Sequence, residues 1–421
     1  MQLSPTRVYV LLFSLYWAQG LPVGFMTHAL PVILRAQGVS LAHIGGFGLL
    51  MAPWAIKFLW APWVDRFSCR CLGHYRAWIL LTQGLSVVIL IVLSFIPIHA
   101  LNQPQYLLWF FIALLSLNSM GATQDIATDA LAVNLLKTKQ QHWGNMFQVL
   151  GSRLGFIVGG GAILYALDLL TWQATFLILA ALVLLNSVAI LLFKESHYLP
   201  STSQHKTGNK GSTLQLWHTY RAYFSQNKTL FYWLWVLCSI KVSDGLSGPI
   251  SKPLLVDMGL SLSQIGLYIT MLGAAAALLG AGLASICLQR MQRHHALLLF
   301  SILKLLSLFG FVWLGFKFEQ GQSVAPWMIY AINAAEDLFA AMLLVVILTL
   351  VMQYSRLQHA GTDFTIQVSI MALVSGGLYS LSGVFGDVLG YADYLLAIAV
   401  LGILMLWPIW LWRRHYRQPM A

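Results

Sequence analysis

The stretch from Thr171 to Phe193, "TWQATFLILAALVLLNSVAILLF", contains no charged side chain. It exceeds the roughly 20 residues an α-helix needs to cross the hydrocarbon core of a bilayer. In lipid every backbone amide and carbonyl must be paired within the protein, so such a segment has to be helical. Comparable runs recur along the 421 residues, of which 59% are hydrophobic and only 9% charged. Soluble domains carry about 25% charged residues. The chain therefore reads as an all-α polytopic membrane protein. A transmembrane barrel would show short alternating segments instead. The N-terminal "MQLSPTRVYVLLFSLYWAQGLPVGF" has no small-residue cleavage site after a short apolar core, so it is expected to be a working first span. Cys69, Cys71, Cys238 and Cys287 lack zinc spacing and are expected as free thiols, with no metal site.

Twelve spans are predicted, at about 7–34, 41–63, 77–98, 105–136, 144–166, 171–193, 229–256, 262–288, 295–316, 325–353, 364–388 and 391–412. Pro22, Pro53 and Pro249 fall inside them and are expected to kink them. Seventeen of the 24 Lys and Arg residues lie on one set of connecting loops and three on the other. The positive-inside rule then puts both termini in the cytoplasm. The net charge of +11 is accounted for by this topology, so no nucleic-acid partner is expected. The longest polar stretch, Lys194 to Lys228, separates two halves that resemble each other. "GVSLAHIG" from Gly38 lies opposite "GLSLSQIG" from Gly259, and "ATQDI" from Ala122 opposite "AAEDL" from Ala334. The expected organisation is a six-span bundle over 1–194, a cytoplasmic loop over 195–228 and a second six-span bundle over 229–421. A 6+6 parallel repeat with a central inner loop is the major facilitator architecture.

An ionised side chain at the centre of a span costs at least about 2.5–3.5 kcal/mol, so such residues mark cavities or pairs. Counting about 1.5 Å per residue from the inner ends puts Gln19, Gln124, Asp125, Lys241, Asp244, Glu336 and Asp337 about 18–24 Å deep. They belong to spans one, four, seven and ten, the helices that line the central cavity of this architecture. They are the candidate substrate-binding and proton-coupling residues. Asp125 has no basic residue at its own estimated level in the first half, so it is expected to face Lys241 and to carry the coupling proton. Lys57, Asp129 and Arg153 come out about 12–14 Å deep and are expected to form one ion-pair cluster. Lys304 has no expected role. Gly159 to Gly161 and Gly376–Gly377 are expected at close helix contacts. Asp65 and Arg66, in "APWVDRFSCRCLGHYR", resemble a loosened copy of the facilitator loop between spans two and three. That resemblance implies gating: in the family, the loop pairs charges and helix ends at the inner side.

"LRAQGVSLAHIGGFGLLMAPWAIKFLWAPWVDR", "GATQDIATDALAV" and "GNMFQVLGSRLGFIVGGG" resemble the peptide/acetyl-CoA/drug transporter branch of the major facilitators. The branch includes AmpG muropeptide permeases and RhtX/FptX siderophore transporters. "QGLPVGF", "PWAIKFLWAP" and the chain length look most like the RhtX/FptX group. The resemblance implies proton-driven import of an iron–siderophore complex across a bacterial inner membrane by a monomer without a bound cofactor. The alternatives are muropeptide uptake or export of a small metabolite or drug. An intramembrane aspartyl protease would leave the twelve spans and the repeat unexplained, so no enzymatic activity is expected. No Gly-x-x-x-x-Gly-Lys loop is present for ATP drive.

Overall fold

The computed structural model describes residues 5–30, 33–34, 47–67, 72–163, 170–195, 222–261 and 264–416. These residues form helices joined by short turns, with no β-strand among them. Each of the twelve expected spans carries helix. Eight helical segments are long and apolar enough to cross a membrane, among them Pro104–Leu135 in the fourth span and Pro326–Gln353 in the tenth.

Other spans are interrupted. The second is assembled from a 3₁₀ turn (Phe47–Met51), a short helix (Ala52–Ile56), a second 3₁₀ turn (Lys57–Leu59) and the helix Ala61–Arg66. Pro53 does not kink a helix, as the sequence led one to expect. It sits in the first turn of Ala52–Ile56, where a missing amide hydrogen leaves no bond unmade. The seventh span is two helices, Lys228–Ser239 and Val242–Asp257, with Ile240 and Lys241 in the gap.

The chain divides into two compact units, Met1–Lys210 with Ser355–Ile366, and Gly211–Tyr354 with Gln367–Ala421. In the first unit the helices Pro5–Gly24 and Gln141–Ile157 pack closely. Gly151, Gly155 and Gly159 recur every four residues, the small-residue spacing that lets membrane helices approach. A Cβ on Gly155 would lie 2.7 Å from the Gly20 Cα and the Trp17 carbonyl. The expectation for Gly376 and Gly377 differs: a Cβ there would meet nothing within 4 Å. The core of this unit is a cluster that includes Leu21, Phe25, Phe110 and Phe176. The second unit has its own, around Leu254, Phe311, Ile329 and Leu395.

Both units tie a helix start with the same device. Gly73 (φ 99°) precedes the helix His74–Ser94, and Glu195 accepts from the amides of Tyr75 (3.2 Å) and Arg76 (2.8 Å). Gly390 (φ 76°) precedes Tyr391–Leu404, and Glu319 accepts from the Ala392 amide at 2.9 Å. A carboxylate there satisfies orphan donors and complements the positive helix end. Cys238 and Cys287 are free thiols; Cys69 and Cys71 lie outside the described residues.

Candidate functional site

In the first unit the polar residues of Pro104–Leu135 share a buried face that includes Asn118, Gln124, Asp125, Thr128 and Asp129. Lys57, only 1% exposed, forms an ion pair with Asp125. It also lies 5.3 Å from the centre of the Trp54 ring, a cation–π distance. Asp129 is likewise 1% exposed. It accepts from the Tyr16 hydroxyl at 2.6 Å and from Gln148 Nε2 at 3.3 Å. Gln19 donates to Thr128 Oγ1 at 3.2 Å, and Thr128 in turn donates to the Gln124 carbonyl at 2.9 Å. Gln124 Nε2 is buried without a hydrogen-bond partner, which costs about 1–3 kcal/mol in an ordinary core.

This differs from the expected pairing in two ways. Asp125 does have a cation in its own unit, Lys57. The expected cluster of Lys57, Asp129 and Arg153 forms only in part: Lys57 makes its ion pair with Asp125, Asp129 lies in side-chain contact with Asp125 and within reach of the Lys57 charge, and Arg153 is partly buried and outside the ion pairs among the described residues. The reach of the lysine stem is the main reason, and the broken second span adds about 1.5 Å to it. A 3₁₀ turn rises about 2.0 Å per residue against 1.5 Å in an α-helix, so counting along an ideal helix misplaces Lys57. The long lysine stem then carries the ammonium further along the helix face.

In the second unit, Lys241 ends the gap in the seventh span. Its ammonium donates to Asp244 Oδ2 at 2.7 Å. The other oxygen of Asp244 pairs with Lys304 at 3.1 Å, and Lys304 also pairs with Glu336, which the Ser307 hydroxyl contacts. Asp337 accepts from Asn333 Nδ2 at 3.0 Å. Lys304, with no role expected from sequence, is thus the centre of the network. Of the remaining residues that sequence reasoning missed, Tyr16 carried a signal: it is three residues before Gln19, on the same helix face.

Asp65 meets a helix end. It accepts from the amides of Gly361 (3.1 Å) and Thr362 (2.7 Å) and from the Thr362 hydroxyl (2.6 Å), at the start of Ala360–Leu389. Burial pushes its carboxyl above the ordinary value, and these hydrogen bonds only partly oppose the rise. Arg66 is exposed. Beside Asp65, the fully buried Asp363 takes a two-pronged contact from Arg356, at 2.7 and 2.8 Å, the strong geometry for this pair.

Comparison with known proteins agrees with this architecture. The family model described as Acetyl-coenzyme A transporter 1 matches residues 8–168. The anhydromuropeptide permease of Escherichia coli K12 is 28% identical over 94% of this chain and 78% of its own length. A putative AmpG transporter of Rickettsia conorii is 22% identical over 93% of each chain. Among solved structures, the Escherichia coli fucose:proton symporter superposes with a TM-score of 0.68 at 15% identity, over 97% of this chain and 98% of that one. The chain has the major facilitator fold, and in sequence it is similar to AmpG permeases and to the acetyl-coenzyme A transporter family model.

Proposed function

We propose that the chain is a muropeptide permease that works by alternating access, driven inward across a bacterial inner membrane by the proton gradient, with both termini in the cytoplasm. The observation that carries this is the 28% identity to an anhydromuropeptide permease over 94% of this chain. The siderophore reading, drawn from short motifs such as "QGLPVGF", has no counterpart among these relatives and stands second. The buried polar groups suit a substrate that carries both charge and hydrogen-bonding groups, as a sugar-linked peptide does. In this reading the proton rides on Asp129. Its neighbours are Tyr16 from the first span, Gln148 from the fifth, and Asp125, already balanced by Lys57, one turn away. Two buried carboxylates in contact favour a proton on one of them, and Asp125, paired with Lys57, resists it more than Asp129 does.

The test is uptake into right-side-out vesicles or proteoliposomes under an imposed pH gradient. A labelled anhydromuropeptide is expected to accumulate, and a protonophore to abolish the accumulation. Accumulation of a ferric siderophore with no muropeptide uptake would overturn the reading.

A further inference from the structure

The second unit holds two cations and two anions in one connected set: Lys241, Asp244, Lys304 and Glu336. Their places in it are unequal. Lys304 touches both carboxylates, and its side chain is 12% exposed. Among the described residues Lys241 has one ion-pair partner, Asp244, three residues on, and its side chain is 25% exposed. Asp244 is held through separate oxygens, Oδ2 by Lys241 and Oδ1 by Lys304. If Lys241 turns away, Asp244 keeps a cation. If Lys304 is lost, Glu336 keeps only the Ser307 hydroxyl among the contacts described here and Asp244 loses half its pairing.

The backbone adds to this difference. Lys304 is anchored in the middle of the continuous helix Arg293–Glu319. Lys241 sits in the gap between Lys228–Ser239 and Val242–Asp257. A residue at a helix break has no helix of its own to hold its stem, and a lysine there has four rotatable side-chain bonds with which to reach a new partner.

We infer that Lys241 is the exchangeable cation of this unit: it leaves Asp244 to take a carboxylate of the substrate, while Lys304 stays in place in contact with both Asp244 and Glu336. The inference rests on the muropeptide reading, because that substrate class carries free peptide carboxylates. The exchange brings a third carboxylate to two lysines, so the set gains one net negative charge, but every carboxylate keeps a lysine contact. One lysine–carboxylate contact is replaced by another, and Asp244 is not left bare, which would be costly at this depth.

The experiment pairs two ligands with three variants in proteoliposomes. The ligands are an anhydromuropeptide with free carboxylates and the same molecule with those carboxylates amidated. The wild type is expected to favour the free acid by tenfold or more in apparent affinity. Lys241→Gln is expected to fold and to bring the apparent affinity for the free acid down to that for the amidated ligand; Lys241→Arg is expected to restore the preference. Lys304→Gln is expected to lower the melting temperature while any surviving protein keeps the preference. If Lys241→Gln discriminates between the two ligands as the wild type does, or if the wild type transports both equally, the inference is overturned. If the wild type transports neither ligand, the muropeptide reading fails, and this inference fails with it. If Lys304→Gln folds normally and loses the preference, the two lysines have been assigned the wrong way round.

Discussion

The two units handle buried charge differently. In the first, one lysine and one carboxylate are sealed together: the Lys57 side chain is 2% exposed and that of Asp125 10%. The second acid, Asp129, has no ion pair of its own: it accepts from a tyrosine and a glutamine and lies against Asp125, within reach of the same lysine charge. In the second unit four charged groups share contacts, with side chains 12–25% exposed. A sealed pair has no alternative partners, so removing one member leaves an uncompensated charge. A shared set can lose a member and redistribute. The first arrangement suits a fixed framework around one exchangeable proton, and the second suits a cation that changes partner. The internal repeat therefore supplies the same scaffold twice without repeating the chemistry.

Breaking the sealed pair is expected to have the largest effect. Lys57→Ala leaves Asp125 buried and bare and should cost about 3–5 kcal/mol, read as lost expression or a large fall in melting temperature. Replacing both members with apolar residues of similar volume should recover much of that stability. If the single change is harmless, the pair is not sealed. In the second unit the equivalent break, Lys304→Gln, should cost less, about 1–3 kcal/mol, because Lys241 still serves Asp244. Equal losses in the two units would erase the distinction drawn between them.

The tethers sharpen the comparison in the opposite direction, since here the units use one device. Gly73→Ala and Gly390→Ala each force a Cβ onto a residue with positive φ and extended ψ (172° and 173°), a region nearly confined to glycine, at about 1–3 kcal/mol. The new atom would also lie 2.6 Å from Glu195 Oε2 or 2.8 Å from Glu319 Oε1. Similar falls in melting temperature are expected for both; a fall in only one would mean that the two glutamates do different work. The smallest effect belongs to Asp65. Its folded value lies above the ordinary 3.8, so folding favours the protonated form. Its contribution to stability is fully present below the unfolded value and is lost as pH rises through the raised folded one. Asp65→Asn should remove that decline from the melting-temperature profile, and an unchanged profile would show that Asp65 does not titrate there.

The reason the sequence could be read so far lies in the bilayer. Lipid forces helix wherever a long apolar run occurs, so the span from Trp172 to Leu192 could be predicted from Thr171–Phe193 almost to the residue. The scarcity of charge made Asp125, Lys241, Asp244 and Glu336 conspicuous. Their partners were harder to find. Depth counted to the Cα of Lys57 leaves out the reach of its stem, and the 3₁₀ turn adds about 1.5 Å more, so the count pairs Lys57 with Asp129 where the structure pairs it with Asp125. Lys304 was unreadable because its partners come from two other spans, and only the folded packing brings Asp244 and Glu336 to it. Tyr16 and Gln148 escaped because neutral donors for a buried acid look like any other polar residue until the acid is seen beside them.

The proposed division of labour gives the proton to Asp129 and the substrate carboxylate to Lys241. The direct measurement is pH-driven uptake and counterflow exchange of a labelled anhydromuropeptide in proteoliposomes, for Asp129→Asn and Lys241→Gln side by side. Asp129→Asn should lose accumulation tenfold or more yet retain exchange, because the amide oxygen still accepts from Tyr16 and Gln148. Lys241→Gln should keep its response to the pH gradient and lose its preference for free carboxylates. If Asp129→Asn still accumulates substrate against the gradient, or if the two variants fail in the same step, the division is contradicted.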